Sequence, residues 1–240
     1  MQIDKNSRIP AYIQLKDILT DKIRKKELLP GDPLLSERDL AIKTNLSRMT
    51  VRQTFKALES EGLIHRETGR GTFVSRPSFE QKDIMSFTEL VKSKGASPAS
   101  RVLCFEIKDP DENIRALFDI REKNSFFHFK RLRLADLDPL AIEEIYIPKH
   151  ICPDLSLRDL ETSLYSILKE KYGHTVTYVD STITASMPGV EQQRLLDISG
   201  NIPLIGVSGI NYNQQGKKIY YEISYYRSDE YKYNIHINLY

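Results

Sequence analysis

The chain has two cysteines in 240 residues, Cys104 and Cys152, and they stand far apart. Neither shows a metal-ligand spacing, and two buried, reduced thiols are the expected state. No stretch approaches the ~18 consecutive apolar residues that a membrane-spanning helix needs. The opening residues MQIDKNSRIP carry no apolar signal core. A cytoplasmic protein with no membrane partner is therefore expected. The five histidines (His65, His128, His150, His174 and His236) form no recognisable metal or nucleophile motif, and no Ser–His or Cys–His constellation is evident. Catalysis, a cofactor and a metal site are accordingly not expected.

A large excess of positive or negative charge is also missing, with a formal net charge of only +2. Its distribution says more than its sum. Residues 1–77 carry 15 Lys and Arg against 10 Asp and Glu, a net of +5, while the remainder carries 20 against 23, a net of −3. A basic head joined to a mildly acidic body suits a nucleic-acid-binding domain followed by one with a different task. Hydrophobic content of 40% and charged content of 28% fit a soluble globular chain.

One stretch, Leu34 to Val74, organises the head. Two serines each precede a helix start: Ser36 comes three residues before Asp39, and Ser47 three before Thr50. From Ser47, the apolar residues Val51, Phe55 and Leu58 fall on one helical stripe, leaving Arg48, Arg52, Gln53 and Lys56 on the other face. Thr44-Asn45-Leu46 makes the turn between the helices. Two short helices, the second with a basic N-terminal half, predict a helix-turn-helix whose second helix enters the major groove. A further helix is predicted from Pro10 to about Lys26. After Gly62, a short hairpin around Gly69-Arg70-Gly71 places glycines beside Arg66 and Arg70, which suits close approach to a phosphate or a minor groove.

The ordered segments PAYIQL, LPGD at Leu29–Asp32, LSERDLA at Leu35–Ala41, LSRMTVRQ at Leu46–Gln53, EGLIHR and GRGTFV resemble the GntR-family winged helix-turn-helix. Departures are small: Leu35 stands where a proline is usual, Asn45 where a glycine is usual, and Thr54 and Phe55 replace smaller core residues. The resemblance implies DNA contacts by Arg38, Arg48, Arg52 and Gly69, with Ser47 and Thr50 helping to bind phosphates. The physics agrees for the arginines, since a guanidinium can grip guanine or clamp a phosphate with two bonds. N-capping is the alternative role for Ser47.

Past the head, short helices alternate with strand signals, including predicted strands at Arg101–Ile107, Ser125–Ala135, Leu140–Pro148, Thr175–Met187, Pro203–Tyr212, Lys217–Arg227 and Tyr233–Leu239. The pattern predicts an α+β domain with a mainly antiparallel sheet. Strand alternation puts Phe127, Phe129, Arg131 and Arg133 on one face, and two always-charged guanidinium groups among aromatics call for anions or for solvent. Glu143 and Glu144 point to opposite faces of the next strand. A two-residue turn at Leu137-Asp138 would face Arg131 toward Glu144, and a longer loop or a bulge would select Glu143.

SFTE at Ser86–Glu89, RLRLADLDPLAIEEIYIP at Arg131–Pro148, the Ser163-Leu164-Tyr165 helix start and EISYYRSDEY at Glu222–Tyr231 resemble the UTRA effector domain of the HutC branch of GntR regulators, which shares its fold with chorismate lyase. The resemblance favours Glu143 over Glu144 and implies effector contacts at Phe87, Thr88, Arg131, Arg133, Glu143, Ser163, Tyr165, Glu222 and Tyr226. It implies three segments: residues 1–77 as the DNA-binding head, 78–85 as linker, and 86–240 as an effector-binding and dimerisation domain. The expected protein is a homodimeric regulator of a palindromic operator, and a repressor of sugar or amino-sugar genes. A small polar metabolite such as a sugar phosphate would release it. A non-sugar effector, an architectural protein without effector, and an enzyme of chorismate-lyase-like fold are the alternatives.

Overall fold

The structure, a computed structural model, describes residues 3–4, 7–75, 78–120 and 125–235. The chain divides into two compact units, Met1–Ser78 and Phe79–Tyr240.

In the first unit, α1 (Ala11–Arg24) starts behind Pro10, whose carbonyl accepts from the Ile13 and Gln14 amides. α2 (Glu37–Thr44) and α3 (Arg48–Ser60) follow, each capped as its serine predicts. Ser36 Oγ accepts from the Asp39 amide at 3.2 Å, and Ser47 Oγ from the Thr50 amide at 3.1 Å. Asn45 takes the left-handed conformation between them (φ 52°, ψ 43°), which its short polar side chain tolerates in place of glycine. Leu15 and Leu19 of α1 pack with Leu40, Val51, Phe55 and Leu58, so the apolar stripe of α3 is buried and its basic face left outside. Thr54 is fully buried, and its hydroxyl donates to the Tyr12 carbonyl of α1 (3.2 Å) and to that of Thr50 (3.1 Å). The larger polar residue is thus accommodated by bonding rather than by space. The strands β1 (Ile64–Glu67) and β2 (Gly71–Val74) form the expected hairpin.

The second unit opens with β3 (Phe79–Gln81), α4 (Phe87–Ser93), β4 (Pro98–Lys108), α5 (Glu112–Leu117), β5 (Phe126–Ala135) and β6 (Asp138–Pro148). After a 3₁₀ turn at Leu157–Glu161 come α6 (Leu164–Tyr172), β7 (Val176–Ser186), α7 (Val190–Leu196), β8 (Leu204–Asn213), β9 (Lys218–Arg227) and β10 (Tyr231–Tyr233). Six strands make one antiparallel sheet in the order β4-β5-β6-β9-β8-β7. α6 covers one face, where Leu164 and Leu168 pack on Phe127, Phe129, Ile145 and Ile147. α7 covers part of the other, with Leu195 and Leu196 against Leu132 and Ile142.

Two expectations change. Part of the segment 78–85 expected as linker is a strand: β3 pairs in parallel with β10, Phe79 opposite Tyr231. The apolar Phe79 is buried with Phe87, Leu90, Val91 and Tyr231, which draws the segment into the second unit. The last predicted strand, Tyr233–Leu239, overlaps the observed β10 only at Tyr233, and its residues 236–239 lie outside the described ones.

Replacing the fully buried Leu168 of α6 by alanine is expected to cost about 2–5 kcal/mol in urea unfolding. A cost under about 1 kcal/mol, the level of a partly exposed site, would contradict this packing.

Candidate functional site

The head presents Arg38, Ser47, Arg48, Arg52 and Gly69 on its surface, with Thr50 partly covered. Arg38 and Arg48 border one shallow depression with Ile42, Asn45 and Leu46, so α2 and the start of α3 share a basic rim. Ser47 both caps α3 and lies within 2.8 Å of the Thr50 hydroxyl. Gly69 holds φ at +76° at the hairpin tip, a conformation that glycine adopts freely.

Arg52 is tethered. Its Nε donates to Glu37 Oε2 at 3.2 Å, and Arg66 Nη2 of the hairpin donates to Glu37 Oε1 at 3.0 Å. Burial pushes the Glu37 carboxyl up, but the bonds from Arg66 and Arg52 outweigh it and hold the group below its ordinary range. Glu37 therefore links the second helix of the motif to the hairpin through two guanidinium groups. Sequence reasoning passed over it, because an acid beside Arg38 reads as a helix-start residue.

In the second unit a cavity of about 520 Å³ opens on the α6 face of the sheet. Arg131, Arg133, Glu143, Ser163, Tyr165, Glu222, Tyr226 and Phe87 all line it. Register explains the meeting. The hairpin turns at Asp136-Leu137, both with positive φ, and a bulge between Arg133 and Leu134 shifts the pairing. Arg131 thereby stands opposite Glu143, which in turn stands opposite Ser224 of β9. The two-residue turn lies one position earlier than Leu137-Asp138, and the bulge sets the choice of glutamate. Pro139, which has no amide N–H to give a ladder, lies opposite Leu134 at that bulge.

The two arginines differ. Arg131 is saturated by the protein: Nε donates to Glu143 Oε2 at 2.7 Å, and Nη1 to the carbonyls of Leu160 (3.0 Å) and Thr162 (3.2 Å). Arg133 is 3% exposed, and its Nε and Nη1 find no hydrogen-bond partner. Its guanidinium lies 4.4 Å from the centre of the Phe87 ring, and Nη1 is 3.6 Å from Glu143. Burial and the neighbouring Arg131 depress its pKa to about 10. Two buried guanidinium nitrogens without a partner leave room for an acceptor on a bound molecule.

Glu143 is pushed up by burial, yet Arg131 and Arg133 outweigh that and keep it ionised below its ordinary value. Glu222 goes the other way. Burial, with the charge of Glu143 added, raises it from 4.5 to about 8. The cavity thus holds one carboxylate that accepts only and one carboxyl that is protonated at neutral pH and can donate. Ser163 Oγ accepts from the Ser166 amide at 3.4 Å, so it caps α6 while lining the cavity. Tyr165 donates its hydroxyl to Asn211 Oδ1 at 3.4 Å.

Thr88 is not on the cavity wall. Phe87 is the first residue of α4 and turns inward, and Thr88 lies about 100° further round the helix. Conversely, Asn211, Ser181, Tyr220, Tyr231 and the segment Gln81–Met85 line the cavity and were not foreseen. Ser181 Oγ is buried without a partner, and the Asn211 side chain is a hydrogen-bonding neighbour of Glu222. The asparagine in the GVSGINY strand was the available signal for Asn211.

Residues 93–232 match the UTRA domain family, and residues 11–74 match the bacterial regulatory proteins of the gntR family. The chain belongs to the GntR family. It is 35% identical over 233 residues to the HTH-type transcriptional repressor NagR of Bacillus subtilis, covering 96% of each chain. It is 29% identical over 228 residues to the mannosyl-D-glycerate transport/metabolism system repressor MngR of Escherichia coli, covering 94% of this chain and 95% of that one. Among solved structures, PhnF from Mycobacterium smegmatis superposes with a TM-score of 0.78 at 25% identity, over 95% of this chain and 98% of that one. This GntR protein is a DNA-binding transcriptional regulator with a UTRA effector domain, and its family is one of regulators rather than enzymes. No helix among the described residues is long and apolar enough to cross a membrane.

Because folding holds a proton on Glu222 up to about pH 8 while the unfolded chain loses it near 4.5, unfolding releases a proton between those values. Its contribution to stability is therefore complete below the unfolded value and lost as pH rises through 8. The Glu222→Gln variant, which mimics the protonated form, is expected to flatten this decline in urea midpoints measured from pH 5 to 9. An unchanged slope would contradict the assignment.

Proposed function

We propose that this regulator is a cytoplasmic homodimeric repressor whose operator is palindromic and whose effector is a small phosphorylated sugar or amino sugar. The observation that carries the effector class is the buried, unsatisfied edge of Arg133 in a cavity that also offers hydroxyl-sized polar partners. A phosphate would take the Arg133 edge, with the Ser163 hydroxyl beside it. Sugar hydroxyls would donate to the ionised Glu143 and accept from protonated Glu222, and Tyr226 and Phe87 would form walls. The similar repressor of a mannosyl-D-glycerate transport/metabolism system supports a carbohydrate-related signal.

On the DNA side, Arg48 and Arg38 would contact the duplex from the shared rim, Arg52 from the α3 face, and Gly69 from the hairpin tip, with Ser47 and Thr50 at phosphates. One head reads one half-site, so two-fold symmetry would match a palindrome. The effector would act through Gln81–Met85, which line the cavity and lie in the stretch of chain that leads from the head.

A panel of sugar phosphates and their unphosphorylated parents tests the effector by thermal shift. A ligand at 100 times its Kd is expected to stabilise by about 2.7 kcal/mol. The Arg133→Gln variant should lose the response to the phosphorylated compounds. Equal responses to a sugar with and without its phosphate would overturn the phosphate assignment. On an operator selected from random duplexes, Arg48→Ala is expected to weaken binding by about 1–3 kcal/mol. An unchanged affinity would remove Arg48 from the contact set.

A further inference from the structure

The face of the sheet opposite the effector cavity carries a cluster that the regulator's proposed chemistry does not use. Cys104 and Glu106 come from β4 and His128 from β5, and their ligand atoms all lie within 4.8 Å of one another. The register shift between Val102 and Cys104 is the local irregularity on β4 beside them. Glu106 pairs directly with His128 across the strands, so the carboxylate and the imidazole are neighbours by backbone geometry rather than by side-chain reach.

His128 is 7% exposed and lies between two carboxylates. Its Nδ1 is 2.8 Å from Glu106 Oε1, and its Nε2 is 2.7 Å from Glu144 Oε1. A neutral imidazole carries one N–H and one lone pair. With a single N–H, one of these two contacts sets a lone pair against a carboxylate oxygen, and that side is closed either by a second ring proton or by a metal ion. Glu144 is the better fixed partner: Tyr146 donates its hydroxyl to Glu144 Oε1 at 3.1 Å, and Lys130 Nζ is 3.3 Å from Oε2. With the N–H committed to Glu144, the Nδ1 lone pair is aimed at the side where Glu106 and Cys104 meet.

We propose that Cys104 Sγ, Glu106 and His128 Nδ1 form a binding site for a zinc-type divalent transition-metal ion, with Glu144 as the outer carboxylate that orients the imidazole. The donor set is one sulfur, one nitrogen and one oxygen, which suits a borderline-soft ion and leaves a fourth tetrahedral position for water. A carboxylate holding the far nitrogen of a metal-bound histidine is the usual second partner of such sites. As the ion binds, the thiol proton leaves to solvent together with any proton on His128 Nδ1, so binding releases protons. Lys108 Nζ, 3.1 Å from Glu106 Oε1 and 5.3 Å from the Tyr146 ring centre, is the competitor for that carboxylate. The bound ion would pin β4 to β5 behind the strand that carries Arg131 and Arg133. The separation of the ligands over two strands explains why no metal-ligand spacing is visible along the chain.

The test titrates the full-length protein with Zn²⁺ alone against a chromophoric chelator, and with Co²⁺ followed by near-ultraviolet absorption. One ion per chain is expected, with a thiolate-to-cobalt charge-transfer band. The band should vanish in Cys104→Ser, and Glu106→Gln should retain the fold by circular dichroism while losing affinity. Glu144→Gln should weaken Zn²⁺ by about tenfold, as loss of an outer partner does. Absence of stoichiometric binding, which would leave a proton as the only cation between His128 and Glu106, overturns the proposal. So does binding that is the same in Cys104→Ser and Glu106→Gln, since the ion would then be held elsewhere.

Discussion

The second unit depends on one buried ion pair, Arg131 with Glu143. Arg131 is 1% exposed, and its guanidinium reaches Glu143 with Nε while Nη1 bonds the Leu160 and Thr162 carbonyls. It therefore fastens the 3₁₀ turn and the approach to α6 onto the middle of the sheet. Breaking one partner of such a pair strands the other and typically costs about 3–5 kcal/mol. The pair also determines what the neighbouring arginine can do. With Glu143 committed mainly to Arg131, Arg133 keeps two nitrogens, Nε and Nη1, without a hydrogen-bond partner. Its electrostatic demand is the cavity's most specific property.

Legibility of this arrangement in the sequence followed the range of the forces involved. Helix caps at Ser36 and Ser47 are local and could be read directly. Strand alternation could place Arg131 and Arg133 on one face, because that needs only a period of two. It could not distinguish their roles, which depend on carbonyls about thirty residues away in the 3₁₀ turn. The choice of Glu143 hinged on a bulge beside Pro139, a single-residue event that periodicity cannot see. Thr88 stands off the cavity wall for a different reason, since a helix turns successive side chains apart while a resemblance runs along the whole tetrapeptide. Phe79–Gln81 looked like linker because a three-residue parallel partner for β10 has too little pattern to announce itself.

The head shows the same division. Its apolar stripe and its basic face were visible as periodicity, but the Glu37 bridge between Arg52 and Arg66 was not, since it joins a helix to a hairpin. That bridge has a physical consequence. A long, flexible guanidinium that is already held loses less freedom when it binds, and Arg52 and Arg66 would meet a duplex as a pre-oriented pair. The cost is competition, because a phosphate or base must match the carboxylate that either arginine gives up. Arg48 borders the open depression with Arg38, so the rim and the bridged pair offer two different kinds of cationic contact.

Coupling between effector and DNA requires that the effector prefer one arrangement of the chain over another. The cavity supplies a physical basis for such a preference. Strands β5, β6, β7, β8 and β9 all contribute to its lining, whereas part of its wall is Gln81–Met85. That wall is tied by β3 to β10 and by Asn234, whose amide donates to the Gln81 carbonyl at 2.8 Å and whose side chain donates to Glu80 at 2.9 Å. These are few bonds compared with the sheet ladder. An anion that satisfies Arg133 gains most when the wall closes over it and excludes water, since charge-assisted bonds strengthen as the dielectric falls. The free energy of binding would then be spent partly on fixing Gln81–Met85, the same stretch of chain that leads back to the head.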